Sequence, residues 1–181
     1  VAASLTRKQL LIGLGIAMAG FYVAFGIIDA SLKDTGGPSI LGLEFAGSAD
    51  RLEDIFAEWG AHGRDLARLS LWIDFPFMVV YGVFFALASL ATRDFARAHD
   101  RQALAAAGGA AAAFAIAAAL FDAAENILWL LLLGGHGGDA APTIATGCAV
   151  VKFILIGLAI AYVLWGLAAR LALHGQRADN Y

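Results

Sequence analysis

The stretch "ALAAAGGAAAAFAIAAALFDAAENILWLLLL", residues 103–133, decides how this chain is read. It exceeds the run of about 20 apolar residues that carries a helix across a bilayer core, and only Asp122, Glu125 and Asn126 break it. Three more stretches share its character, at about 9–30, 68–91 and 143–169. With 61% hydrophobic residues, 15% charged residues and a mean hydropathy of +0.76, the chain lies outside the range of soluble domains. The prediction is an all-α integral membrane protein: one membrane domain over 1–181, built as a four-transmembrane-helix bundle. The partner this implies is the lipid bilayer, and a net charge of −3 gives no reason to expect nucleic acid. A single cysteine, Cys148, excludes an intramolecular disulfide and dithiol redox chemistry.

Loop charges set the expected orientation. Arg7, Lys8, Arg93, Arg97, Arg101, Arg170 and Arg177 face one side, with only Asp94, Asp100 and Asp179 against them. The other side carries Lys33, Arg51, Arg64 and Arg68 against Asp34, Glu44, Asp50, Glu53, Asp54, Glu58, Asp65 and Asp139. Both termini are therefore expected in the cytoplasm, in a plasma (inner) membrane, with the long loop 31–67 and the loop "GGHGGDAAP" outside. The first span follows Arg7 and Lys8 as a signal peptide would, but its apolar run is too long for a cleaved segment, so it reads as a retained anchor.

The long loop is not plain linker. Leu52, Ile55, Phe56 and Trp59 recur at i, i+3, i+4 and i+7, with Ser48 as N-cap and Asp50 and Glu53 at the positive end of the helix dipole. A short amphipathic interfacial helix is predicted at 48–59, ending near Gly60; it either shields the bundle's outer mouth or serves as a gate or docking element. Small residues through the start of the third span, and Gly13, Ala17, Gly20 and Ala24 in the first, predict close helix approach. Trp59, Trp72 and Trp129 at one depth, with Tyr162 and Trp165 at the other, read as interfacial belts.

The interruption itself has a pattern. Asp122, Glu125, Asn126 and Trp129 stand at i, i+3, i+4 and i+7, on one helix face, and Ala115, Ala118 and Ala119 continue that face with small side chains that would leave room in front of the carboxylates. At comparable depth lie Asp74, with Ser70 and Tyr81 on its own face, Lys152 in the fourth span, and Asp29 at the end of the first. Pro76 frees the carbonyl of Trp72 next to Asp74. A charge near the bilayer centre costs at least about 2.5–3.5 kcal/mol, so these groups are expected to face inward and meet. Lys152 should pair with Asp122, Glu125 or both. Asp74, Asp122, Glu125, Asn126 and Lys152 form the candidate ligand- or proton-binding site, with Ser70, Tyr81, Trp129 and Asp29 around it. Three carboxyls against one ammonium leave acidity for a bound proton or cation to relieve.

Three functions fit. The first is binding or transport of a small cationic or amphipathic ligand, a lipid headgroup or a proton. The second is a membrane enzyme acting on a lipid-like substrate, with Asp122 or Glu125 as general acid/base and Lys152 tuning it. The third is an accessory or assembly subunit, or a homo-oligomer, joined through small-residue helix faces, its buried pairs serving only to fix register. The chain holds no complete catalytic set, and no fingerprint names a cofactor, which favours the first. No histidine falls within a span: His62 and His136 lie in the outer loops, His99 and His174 at the inner surface, so haem ligation and most zinc ligation lose their donors.

Overall fold

The computed structural model describes residues 6–178 and the side chains of residues 6–173, and within that range the chain is helical without strands. The elements are α1 (Arg7–Asp34), α2 (Ile40–Glu44), α3 (Ala49–Ala98), α4 (Gln102–Leu133) and α5 (Ala141–Ala178). Four of them, α1, α3, α4 and α5, are long and apolar enough to cross a membrane. The side chain of Arg177 and all of Asp179, both part of the charge count, lie outside the described residues, as does the side chain of His174.

The sequence writes the helix limits plainly. Thr6 and Gln9 form a reciprocal capping box at the start of α1, and Ser48 Oγ accepts from the Arg51 amide at the start of α3. At about 1.5 Å per residue, the 50 residues of α3 reach well past a bilayer core. They do so in two pieces, because Gly60 has φ 60° and ψ −160°. Only a residue without a Cβ adopts that backbone readily, and Gly60 turns the segment 49–59 away from the rest of α3.

That segment corrects the expectation of a separate interfacial helix at 48–59. The helix is there, but as the first part of α3, and its apolar face lies on protein: Leu52, Ile55 and Trp59 are buried with Ile28 and Leu32 of α1, Leu43 of α2, Trp129 and Leu133 of α4 and Ala145 of α5. The free-standing short helix of this loop is instead α2. Together the two close one end of the bundle.

Among the long helices, α3 packs against the other three and α4 lies along both α3 and α5, whereas α1 meets α3 and, among the described residues, has no extended interface with α5. In the most apolar stretch of α1 only 6% of the residues are buried, against 33% in that of α3. Met18 and the rings of Phe21 and Phe25, the latter two at 5.5 and 5.2 Å from Phe77, hold α1 in place. The small residues of α1 do not: added Cβ atoms at Gly13 and Gly20 would meet nothing within 4 Å. On α4 close approach is real. Ala111, Ala115 and Ala118 are buried, and Gly82 of α3 lies so near Ala119 that a Cβ there would come to 3.1 Å. The expected room in front of the α4 carboxylates is therefore filled by α3, since small residues drew the neighbouring backbone in rather than leaving a groove.

The belt reading also needs correcting. Trp72 and Trp165 are exposed, but Trp59, Trp129 and Tyr162 are buried in protein. Residue counting gives the depth of a side chain along a helix and not which way it faces. Trp59 sits between Gly37 and Gly63, and its Nε1 donates to the Pro38 carbonyl at 2.9 Å. At the end of the bundle that holds the N-terminus, Arg7 of α1 reaches Asp94 of α3 at 2.7 Å. The Arg7 guanidinium holds that carboxyl below its usual range.

Candidate functional site

One ammonium organises the buried polar residues. Lys152 Nζ lies 2.8 Å from Asp122 Oδ1, 2.8 Å from Glu125 Oε2 and 3.3 Å from Glu44 Oε2. The Glu125 side chain is wholly covered, and those of Asp122 and Lys152 nearly so. Asp122 and Glu125 share a face of α4 through their i, i+3 spacing, and α5 supplies Lys152 opposite them, so one ammonium stands within ion-pair distance of three carboxylates and donates a hydrogen bond to Asp122.

The remaining oxygens are held by neighbours chosen by the same helix periodicity. Tyr81 of α3 donates its hydroxyl to Asp122 Oδ2 at 2.8 Å. Trp129, one turn after Glu125, donates Nε1 to Glu125 Oε1 at 3.3 Å. Asn126 donates Nδ2 to Asp74 Oδ2 at 2.7 Å and lies 3.4 Å from the Leu71 carbonyl. That carbonyl is one residue before the Trp72 carbonyl expected as an acceptor near Asp74. The structure thus brings Asp74, Asp122, Glu125, Asn126 and Lys152 together, with Tyr81 and Trp129 in direct contact and Ser70 buried on the same face of α3.

Glu44 is the residue the sequence reading missed. It was counted as a loop acid, yet it is buried against Lys152. Its signal is faint: an acid inside "SILGLEFAG", residues 39–47, where every near neighbour is apolar or small. Tertiary ties carry it inward. Thr146 of α5 donates to the Glu44 carbonyl at 2.8 Å and accepts from the Gly47 amide at 3.1 Å, and Thr143 donates to the Gly47 carbonyl at 2.7 Å. At the other end of α2, Asp29 of α1 accepts from the Ile40 amide at 3.0 Å and pairs with Lys33 at 3.0 Å. Asp29 therefore positions α2 and does not join the Lys152 network.

Beside the network lies a cavity of about 540 Å³. Glu44, Ser70, Asp74, Asp122 and Lys152, together with Asp29, supply its polar lining, while Glu125 and Asn126 lie behind that wall. Tyr22 and Phe25 of α1, Phe77 and Phe85 of α3 and Phe153 and Ile156 of α5 give it an apolar body. Because α1 and α5 have no extended interface among the described residues, the cavity is bounded by α1 on one side and α5 on the other, and Tyr22 and Phe153 on its lining are exposed. His136 and Asp139 are exposed at a separate shallow pocket near the α4–α5 loop and take no part. Among the described residues no group of three or more His, Cys, Asp or Glu is arranged to hold a metal.

Fold and site together define a bundle of four long apolar helices with a buried ion-pair network that opens on a largely apolar cavity. No protein-family model matches the chain, and no curated protein and no solved structure matches it.

Proposed function

We propose that this is a multi-pass membrane protein that binds an amphipathic small molecule or lipid, its polar group at Asp74 and Asp122 and its apolar part between α1 and α5. The carrying observation is the cavity: roughly 540 Å³ falls within the range of small-molecule sites, which are mostly apolar with a few placed polar groups. The gap between α1 and α5 faces the zone where lipid chains would lie, so entry would be lateral. A dry, fully enclosed ion-pair core would have favoured the accessory-subunit reading instead. Transport, if coupled to this binding, would use the same site.

Gly26 provides a test that spares the ion pairs. It lines the cavity, and a Cβ added there meets nothing within 4 Å, so a side chain can start from this position without displacing a neighbour, and Gly26→Phe is the variant that narrows the space. Protein extracted in native-lipid discs should carry a molecule enriched over bulk lipid, and Gly26→Phe should reduce that enrichment about tenfold, a loss of about 1.4 kcal/mol. Wild-type protein carrying nothing above bulk lipid would remove the proposal's basis.

For topology, the proposal places both termini in the cytoplasm and the α2 cap outside, on the excess of Lys and Arg at the terminal end of the bundle. In a Cys148→Ala background, Glu58→Cys should react with a membrane-impermeant maleimide added from outside. Reaction only from the cytoplasmic side reverses the orientation.

A further inference from the structure

We infer that the polar group seated in the cavity is a primary alkylammonium, held by Asp74 against an aromatic wall. The inference rests on the reading of the cavity as an amphipath site and names the chemistry of what occupies it. Charge comes first. Lys152 pairs with Glu44, Asp122 and Glu125, whereas Asp74 has no cation within ion-pair distance among the described residues. Asp74 is partly exposed, lines the cavity, and is held from behind by the Asn126 amide. Charges held largely out of water are ordinarily paired, and among the described residues this carboxylate has no cationic partner.

The hydrogen-bond inventory points the same way. Most donors of the site are committed: the Lys152 ammonium is hydrogen-bonded to Asp122 and ion-paired with Glu44 and Glu125, Tyr81 donates to Asp122, Asn126 to Asp74 and Trp129 to Glu125, which leaves the Ser70 hydroxyl on the cavity wall. In the site the buried side-chain atoms without a hydrogen bond are all acceptors: Glu44 Oε2 on the cavity wall, and Glu125 Oε2 and Asn126 Oδ1 behind it. Apart from the Ser70 hydroxyl, the site offers a ligand acceptors and negative charge. A phosphate, sulfate or carboxylate would bring only more acceptors and negative charge, and an uncharged hydroxyl would leave Asp74 unpaired.

The walls fit a cation too. Phe77, three residues after Asp74, has the rings of Tyr22, Phe25 and Tyr81 at 5.4, 5.2 and 5.3 Å. Aromatic faces around a desolvated ammonium attract it through their quadrupoles. Beyond them Phe85, Ile156 and Ile160 supply the apolar bed for the rest of the molecule.

The test uses the full chain in phosphatidylcholine nanodiscs, with empty discs as the partition blank. Decylammonium, decyl sulfate and decanol are titrated below their micelle concentrations. Decylammonium should bind at least about tenfold more tightly than decanol, and decyl sulfate more weakly than either. Asp74→Asn should bring decylammonium to the level of decanol. Phe77→Leu, which keeps the carboxylate, should weaken decylammonium severalfold and leave decanol unchanged, and it decides the matter if Asp74→Asn does not fold. Decanol or decyl sulfate binding as well as decylammonium overturns the ammonium assignment and leaves the cavity reading intact. No binding above empty discs removes both. Replacing the lipid with phosphatidylethanolamine identifies the source: weakened decylammonium binding assigns the ammonium to a lipid headgroup, and unchanged binding to a soluble amphiphile.

Discussion

Lys152→Met is expected to destabilise the folded bundle by about 3–5 kcal/mol, the range found when one partner of a buried ion pair is removed. The substitution leaves Glu44, Asp122 and Glu125 converging on a thioether, with Tyr81 and Trp129 supplying the only donors to the α4 carboxylates among the contacts described above. Neutralising one carboxyl should recover part of the loss. Asp122→Asn in the Lys152→Met background removes a charge while keeping an acceptor for Tyr81, and Glu125→Gln does the same for Trp129. Reversible unfolding in mixed micelles, run as a double-mutant cycle, measures the coupling. Strict additivity for both combinations would show that Lys152 does not act through these carboxylates. Glu44→Gln alone should cost less, since its ion pair is the longest of the three.

Trp59→Ala should cost about 3–5 kcal/mol, as deletion of a buried aromatic does. The indole is 2% exposed, fills the space between Gly37 and Gly63, and donates to the Pro38 carbonyl. Its loss removes the centre of the cluster that joins α2 and the segment 49–59 to the bundle. The damage should stay local: hydrogen exchange should accelerate across 38–59 and remain slow in α3 beyond Gly63, because Gly60 already separates the two pieces. Uniform acceleration along α3 would show that the cap and the bundle open as one unit.

The four long helices were legible because a bilayer imposes a length and a composition that four stretches meet. The meeting of Asp122, Glu125 and Lys152 followed from helix periodicity and the cost of a lone buried charge, which leaves few arrangements. Glu44 was not legible, because its place depends on Thr143, Thr146 and Asp29, residues far from it in sequence that pin α2 against the bundle. The direction of Trp59 and Trp129 was misread for a related reason: an aromatic at interfacial depth faces lipid or protein according to helix rotation, which no local pattern records. The cavity was the least visible feature. It exists because α1 leans on α3 and leaves α5 uncovered, and the expected space beside Ala115 and Ala118 closed because small residues invite a neighbour as readily as they make room.

The Lys152 clamp also bears on how the chain is made. Asp122 and Glu125 leave the ribosome before Lys152, which follows Asp122 by 30 residues. For a chain that spans the membrane, α4 released alone into lipid would carry two carboxylates near mid-bilayer, each costing about 2.5–3.5 kcal/mol, while α5 alone would carry the ammonium at a similar cost. Joined by the short turn after Leu133, they cancel much of that cost. The unit handed from the translocon to the bilayer is then the α4–α5 hairpin, and a nascent chain stopped before Lys152 should stall beside the translocon and stay accessible to quality-control proteases.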